Sequence, residues 1–157
     1  MQIRDLRTED QSAVQEIMVP HPWQFPQRII DSYPERWNRF LNAPAPESHG
    51  FFVAELNGVV GHAGYIYSES LRLCEIVGVV VKQGLQGQGI GTSIIHFIFK
   101  HIKSLGHDKV ILYTLEHPAN ARTIHFYQKL GFKTVAHDPD FWGPSYDRIT
   151  FIRELDG

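Results

Sequence analysis

The longest uninterrupted apolar stretch of the chain lies near its middle. Ile76 to Val81 has the sequence IVGVVV, and a run so rich in β-branched residues is typical of a strand buried on both faces. From Ile90 to Leu105, apolar residues recur at every third or fourth position, which is the spacing of an amphipathic helix. The glycine-rich segment from Gln86 to Gly91 joins the two. The pattern therefore predicts a strand, a glycine turn and a helix.

Shorter patterns predict further elements on both sides of this unit. Asn57-Gly58, between two apolar runs, is the strongest short signal for a β-hairpin. Thr8 and the two acids after it are typical of a helix start, Pro20 ends that helix, and Pro34 is expected to break the next one. The predicted strands are 2–7, 51–56, 59–67, 71–81, 109–115, 132–137 and 146–154. The predicted helices are 8–19, 27–42, 90–105 and 120–130.

The order of these elements indicates the fold class. Strands and helices follow one another as β-α-α-β-β-β-α-β-α-β-β, which predicts an α/β (three-layer α+β) fold. Its central sheet is expected to be mixed, to have six or seven strands and to carry helices on both faces. The 157 residues suit a single domain over positions 1–157, and the sequence contains no repeat or long linker.

The turn from Gln86 to Gly91 has the features of an anion site. Backbone N–H groups at the start of a helix have no intrahelical partner, lie at the positive end of the helix dipole and commonly bind phosphate. A nucleotide P-loop requires a Lys after the last glycine, and none follows Gly91. A dinucleotide fingerprint requires its last glycine one place later. The segment instead fits Gln/Arg-x-x-Gly-x-Gly/Ala through Gln86, Gly89 and Gly91.

A second segment, NARTIHFYQKLGF from Asn120 to Phe132, fits N-x-x-A-x-x-F-Y-x-x-x-G-F, with Thr123 where a small residue, often Ala, is usual. Asn120 and Tyr127 are two helical turns apart, about 10 Å, so both can point along one ligand. Together the two motifs resemble the GCN5-related N-acetyltransferase (GNAT) superfamily. The resemblance covers nearly the whole chain and implies the GNAT, or acyl-CoA N-acyltransferase, fold with a strongly twisted central sheet.

The resemblance implies acetyl-coenzyme A (acetyl-CoA) as the co-substrate. Its pantetheine arm is expected in a gap between the two central parallel strands, where it would pair with backbone groups as an extra strand does. Gly78, in the middle of the central strand, predicts a β-bulge at this gap, with simple room for packing as the alternative. The expected coenzyme-binding residues are Val79, Val80, Val81, Gln86, Gly87, Gln88, Gly89, Ile90, Gly91, Thr92, Asn120 and Tyr127.

The resemblance also implies that a neutral amine attacks the acetyl thioester directly in a ternary complex. A backbone N–H of Val80 or Val81 would bind the oxyanion. Tyr127 is the expected general acid for the coenzyme A thiolate, since a phenol keeps its proton at neutral pH. Glu75, which opens the central strand, is the main candidate for the general base, and Glu116 is a weaker one. The alternative for Glu75 is a charge that faces solvent.

No motif identifies the acceptor amine. Aromatic residues near the predicted strand ends and loops would suit an amine with an apolar or aromatic body, and equally a cationic amine. These substrate-binding candidates are Trp23, Phe25, Tyr33, Tyr65, Trp142 and Tyr146. Two other functions compete with this interpretation: a non-catalytic acyl-coenzyme A sensor, and a nucleotide-binding protein that uses the same turn.

Composition narrows the class of partner. A formal net charge of −2 indicates neither a nucleic acid nor a membrane partner, and no stretch is long and apolar enough to span a bilayer. The single cysteine, Cys74, is expected to be buried, and with no secretory signal it favours a cytoplasmic location. The nine histidines lack the spacing of a helical zinc site, so no metal is expected. A homodimer is left open.

Overall fold

The computed structural model describes residues 1–155, in which one sheet is flanked by helices. The strands are β1 (Gln2–Asp5), β2 (His49–Glu55), β3 (Val59–Ser68), β4 (Leu73–Val81), β5 (Lys109–Glu116), β6 (Lys133–Asp138) and β7 (Asp147–Glu154). The helices are α1 (Gln11–Met18), α2 (Gln27–Ile30), α3 (Tyr33–Asn42), α4 (Ile90–Ser104) and α5 (Ala121–Lys129). Short 3₁₀ turns, Thr8–Asp10 and Pro118–Asn120, precede α1 and α5. No helix of the described residues is long and apolar enough to cross a bilayer.

The seven strands lie in the order β1-β2-β3-β4-β5-β7-β6. Neighbouring strands are antiparallel except for β4 and β5, which are parallel. The predicted mixed sheet and the predicted order of strands and helices are therefore confirmed.

Helices cover the two faces of the sheet. The side chains of β2 alternate between these faces, as the pleat of a strand requires. Phe51 and Val53 pack in one apolar cluster with α1, α2 and α3, whereas Phe52 and Ala54 pack in a second cluster with α4. Tyr127 of α5 belongs to the second cluster. The gap that holds the candidate site opens between these two layers.

Local sequence signals explain most of the element boundaries. The Asn57-Gly58 turn closes the predicted hairpin, and the Leu56 N–H donates to the Gly58 carbonyl. The helix broken by Pro34 ends at Ile30 and resumes at Tyr33, so the proline occupies the first turn of α3, where its missing N–H is not needed.

The prediction that Thr8 caps the start of the first helix is wrong. Thr8 makes no capping hydrogen bond there. The Asp10 carboxylate instead accepts the Arg7 N–H at 2.7 Å. Arg4 holds this carboxylate through a salt bridge of 2.8 Å. The Asp10 side chain thus pairs with the N–H group of Arg7, the residue before the 3₁₀ turn.

The two central strands separate soon after they meet. Within residues 1–155, β4 and β5 pair only through Cys74 opposite Val110 and Glu75 opposite Ile111. Beyond Glu75, β4 stays paired with β3 as far as Val81, and β5 stays paired with β7 along its length. The strands therefore diverge toward their carboxyl ends and leave a wedge-shaped gap inside the sheet.

Candidate active site

A cavity of about 560 Å³, which we call the cleft, lies at this gap. Residues 75–79 of β4 line one wall, and residues 112–115 of β5 line the opposite wall. Thr123 and Tyr127 of α5, together with residues 22–26 of the loop before α2, complete it. The divergence of two parallel strands therefore creates a pocket with exposed strand edges on both sides.

Gly78 forms the predicted β-bulge beside the cleft. The register between β3 and β4 shifts at this point, since His62 pairs with Val80 but Gly64 pairs with Val77. Gly78 has a φ of +66°, in the left-handed region that favours glycine. A Cβ on it would lie 2.8 Å from the His62 ring, so there is no room for a side chain. The prediction of a bulge is confirmed, and the glycine also allows close packing.

A buried histidine holds the carbonyl of the bulge. His62 is fully buried on β3, and its Nδ1 lies 2.7 Å from the Gly78 carbonyl oxygen. The Trp37 indole N–H donates to His62 Nε2 at 3.0 Å. Because an indole can only donate, Nε2 accepts and Nδ1 carries the proton. Burial lowers the pKa of His62 to about 4, so the ring is neutral at physiological pH. Sequence analysis missed this residue, whose only signal was a lone histidine inside an apolar strand.

Tyr127 contributes a buried phenol to the cleft. Its side chain lines the cleft and is 5% exposed. The rings of Phe132 and Phe151 pack against it, so its position is determined by aromatic contacts. Burial raises the pKa of Tyr127, and the nearby Tyr33 phenol adds to the effect. The phenol therefore keeps its proton at neutral pH.

Glu75 lies where the cleft begins. It is the last residue of β4 that pairs with β5, and its half-buried side chain lines the cleft. Burial raises the pKa of Glu75, and the positive charges of Arg36 and Arg148 partly offset this effect. Such a carboxylate can accept a proton closer to neutral pH than an ordinary one. Glu116 is not a cleft residue, because it lies near His137 on an exposed surface.

The glycine turn presents free backbone donors at the start of α4. Within the described residues, none of the backbone N–H groups from 86 to 92 donates to another protein group outside the helix ladder. Gly89, immediately before α4, has a φ of +84°, which turns the chain so that it enters the helix. The turn comes after β4, whose last three residues are Val79, Val80 and Val81. Val79 lines the cleft, so one continuous segment runs from the cleft to the donors.

Asn120 joins α5 to the end of β5. Its side chain is buried and donates to the Leu115 carbonyl at 2.7 Å and to the Thr114 hydroxyl at 3.2 Å. It makes no capping hydrogen bond to α5. These contacts instead place α5, and with it Tyr127, beside the cleft.

The structure brings five of the six predicted acceptor residues to the cleft. These residues are Trp23, Phe25, Tyr33, Trp142 and Tyr146. The prediction for Tyr65 is corrected: its ring packs in the α4 cluster, and its hydroxyl donates to the Pro46 carbonyl and lies 3.0 Å from His101 Nε2. Since β3 is apolar on both faces, the pattern alone did not show which face Tyr65 occupies.

The loop before α2 also spans the cleft. Trp23 stacks on His117 with ring centroids 4.3 Å apart, and the Gln24 side chain donates to the Thr123 hydroxyl. These contacts connect the α1–α2 loop with the segment after β5. Thr123, the departure from the usual motif, thus has a partner that alanine would lack.

The architecture fits acetyl-CoA on structural grounds. A pantetheine arm is an extended chain with amide groups, and the diverging edge of β4 offers unpaired backbone groups to such a chain. The N-terminal turn of α4 offers N–H donors to a diphosphate. A neutral, buried phenol and a carboxyl with a raised pKa lie in the same cleft.

Parallel strands that diverge beside a bulge, followed by a turn with free N–H donors at the start of a helix, are features of coenzyme A-dependent acyltransferases. A sequence profile of the acetyltransferase (GNAT) family matches residues 10–132 of this chain. The chain belongs to this family, and it is a GNAT-type N-acetyltransferase.

Three known proteins illustrate the relationship. YvbK of Bacillus subtilis, an uncharacterised N-acetyltransferase, is 29% identical over 126 residues, which are 78% of this chain and 70% of YvbK. A crystal structure from Desulfovibrio desulfuricans, assigned to the same family, superposes with a TM-score of 0.89 at 19% identity and covers 99% of both chains. An aminoglycoside 6′-N-acetyltransferase bound to coenzyme A superposes with a TM-score of 0.82 at 18% identity, covering 100% of this chain and 98% of that one.

Proposed function

We propose that this protein transfers the acetyl group of acetyl-CoA to a primary amine by direct attack in a ternary complex. The observation that carries the proposal is the divergence of β4 from β5 beside Tyr127, since it joins a coenzyme-shaped gap to a buried proton donor. We also propose that positions 1–157 form a single catalytic domain and that the acceptor is a small molecule or a peptide.

The coenzyme would be bound mainly by backbone groups. Val79, Val80 and Val81 would pair with the pantetheine arm, and the N–H groups from Gln86 to Thr92 would bind the pyrophosphate. Asn120 uses its amide N–H₂ group within the protein, so its side-chain oxygen is the atom left to contact the coenzyme. Acetyl-CoA supplies the activated acetyl thioester.

The residues of the cleft would then move two protons. The amine nitrogen first bonds to the acetyl carbon, whose carbonyl oxygen becomes an oxyanion, and the carbon–sulfur bond then breaks as the carbonyl re-forms. Glu75, directly or through a water molecule, accepts the proton that the amine loses. Tyr127 gives its proton to the departing thiolate, and a backbone N–H of Val80 or Val81 stabilises the oxyanion formed between these events.

The only cysteine supports direct attack over an acetyl-cysteine route. Cys74 is buried, and it is not a lining residue of the cleft. Burial raises the pKa of its thiol to about 11, so it does not form the nucleophilic thiolate at neutral pH. The prediction that Cys74 is buried is confirmed.

The test is a pair of measurements with the purified protein. Calorimetry with acetyl-CoA measures binding, and a thiol-release assay across a panel of amines measures transfer. We expect both binding and amine-dependent release. Binding without release from any amine would identify the non-catalytic sensor. No binding at millimolar acetyl-CoA would refute the proposal, and binding of ATP in its place would identify the nucleotide-binding protein.

A further inference from the structure

The charged side chains of the cleft point to the class of acceptor. One acid, Glu75, and two arginines, Arg28 and Arg36, line it, so the lining has a formal charge of 2 − 1 = +1. A site for a polycation would be expected to have an excess of acidic side chains. The charge balance here is the opposite.

The two arginines are available to an anionic group. Within residues 1–155, neither Arg28 nor Arg36 forms a salt bridge, whereas Arg39 on the outside of α3 pairs with Glu35 at 3.1 Å. A guanidinium carries several N–H donors in a flat fork that matches a carboxylate. The cleft therefore holds cationic donors that form no salt bridge with a carboxylate of these described residues.

Packing directs Arg36 toward the cleft. Its guanidinium carbon lies 5.2 Å from the centre of the Tyr33 ring, and Tyr33 is buried on the same helix. Arg36 is close enough to lower the pKa of Glu75, yet the two side chains do not form an ion pair. The space between them suits a ligand with an amine at one end and an anion at the other.

The aromatic walls describe the rest of the ligand. Trp23, Phe25 and Tyr146 line the same cleft, and the rings of Phe25 and Tyr33 meet edge to face with centroids 6.4 Å apart. Such walls favour an apolar or aromatic body by burying its surface. The polar groups then fix the orientation of its two charged ends.

We propose that the acceptor is an α-amino acid with an apolar or aromatic side chain, whose carboxylate is bound by Arg36 with help from Arg28 and whose amine faces Glu75. This inference rests on the proposed function and uses the transfer step written above. It separates this protein from the aminoglycoside acetyltransferase that shares its fold, since an aminoglycoside carries several amines and no carboxylate. Arg36 is then a residue that determines specificity.

The experiment compares acceptors that differ only at the carboxylate. Leucine, methionine, phenylalanine and tryptophan are each assayed beside their carboxamide and their decarboxylated amine, with spermidine as a polycation. We expect at least one amino acid to exceed its own amide by about tenfold or more in kcat/KM, as the loss of a charge-assisted hydrogen bond implies. The α-amine of a carboxamide loses its proton more easily than the α-amine of the amino acid, so intrinsic reactivity works against this order.

Variants then assign the effect to a residue. Arg36→Met should lower kcat/KM for the preferred amino acid about 10- to 100-fold, and the change for the decarboxylated amine should be much smaller because that amine has no carboxylate to bind. The matched control Arg39→Met, on the exposed side of the same helix, should change neither. The affinity for acetyl-CoA reports folding in every variant.

Each outcome decides a different claim. The acceptor class would be overturned if the protein binds acetyl-CoA but prefers spermidine, the amides or the decarboxylated amines to the amino acids. It would also be overturned if acetyl-CoA binds but no acetyl group is transferred to any of these acceptors. An unchanged amino acid preference in Arg36→Met and in Arg28→Met would overturn the assignment of the arginines. Failure to bind acetyl-CoA would instead overturn the proposed function, and with it this inference.

Discussion

Replacing the buried His62 should change both the stability of the protein and its dependence on pH. The neutral ring donates to the Gly78 carbonyl and accepts from Trp37, and its other neighbours are the uncharged rings of Tyr33 and Phe51. Protonation of Nε2 would place two donors against each other. The folded protein therefore disfavours the charged imidazolium.

The size of the effect follows from the pKa values. The pKa of His62 is about 4 in the folded state, against 6.5 for an ordinary histidine. Because the folded-state pKa is the lower one, the stabilisation is fully present above pH 6.5 and is lost as the pH falls toward 4. The full difference corresponds to about 3 kcal/mol, of which about 2 kcal/mol is lost between pH 7 and pH 5.

Urea denaturation at pH 7 and pH 5 measures this difference. His62→Gln is neutral at both values, so its unfolding free energy should fall by about 2 kcal/mol less than that of the wild type. It should also be about 1–3 kcal/mol less stable at pH 7, because the Gly78 carbonyl or the Trp37 N–H loses its partner. The control His96→Gln, on the exposed side of α4, should behave like the wild type.

Two outcomes would refute the reasoning. If wild type and His62→Gln lost the same free energy on acidification, the buried ring would not be the group that titrates. If His62→Gln were as stable as the wild type at pH 7, the hydrogen bonds of the ring to the Gly78 carbonyl and the Trp37 N–H would not stabilise the fold. His21 is half-buried and its pKa is also lowered by burial, but it is present in both proteins and cancels in the comparison.

Three further predictions concern catalysis and coenzyme binding. Tyr127→Phe should lower kcat at saturating substrates by about 10²-fold or more in the thiol-release assay. The control Tyr67→Phe, outside the cleft, should not lower it. An unchanged kcat in Tyr127→Phe would exclude Tyr127 as the general acid. In the wild type, kcat/KM should rise with pH as Glu75 ionises, with a midpoint above that of an ordinary glutamate because burial raises the pKa of Glu75. Glu75→Gln should be slower and should lack this rise of kcat/KM with pH. An identical pH–rate profile in the variant would exclude Glu75 as the base. Gly89→Ala should weaken acetyl-CoA binding in calorimetry about tenfold, because a side chain at a φ of +84° is strained and shifts the N–H donors. The control Gly106→Ala, with a φ of +95° beyond the far end of α4, should lose similar stability but bind acetyl-CoA normally. Equal affinities in the two variants would contradict a role for the turn.

Local signals were sufficient to predict most of the fold. The hairpin at Asn57-Gly58, the helix break before Pro34 and the turn at Gly89 each follow from the backbone preferences of one or two residues. Apolar periodicity predicted the strands and helices because each element buries one face or both faces. The two motifs predicted the family, and the family profile confirmed it.

The contents of the cleft were harder to predict, because they depend on contacts between distant elements. Tyr127 and Glu75 lie 52 positions apart in the chain and share the cleft only because β4 and β5 diverge. Tyr65 was placed there in error, and Arg36 was missed. Both outcomes depend on which face of the sheet or of α3 each side chain occupies.

The elements, their order, the glycine turn and the family could all be predicted from the chain, since short-range backbone chemistry and side-chain periodicity encode them. Which side chains line the cleft depends on contacts between elements that are distant along the chain. The His62–Gly78 contact links β3 to β4, and the position of Arg36 at the cleft depends on how α3 packs on the sheet. Such contacts arise from packing among elements that are apolar on more than one side, so no local pattern specifies them.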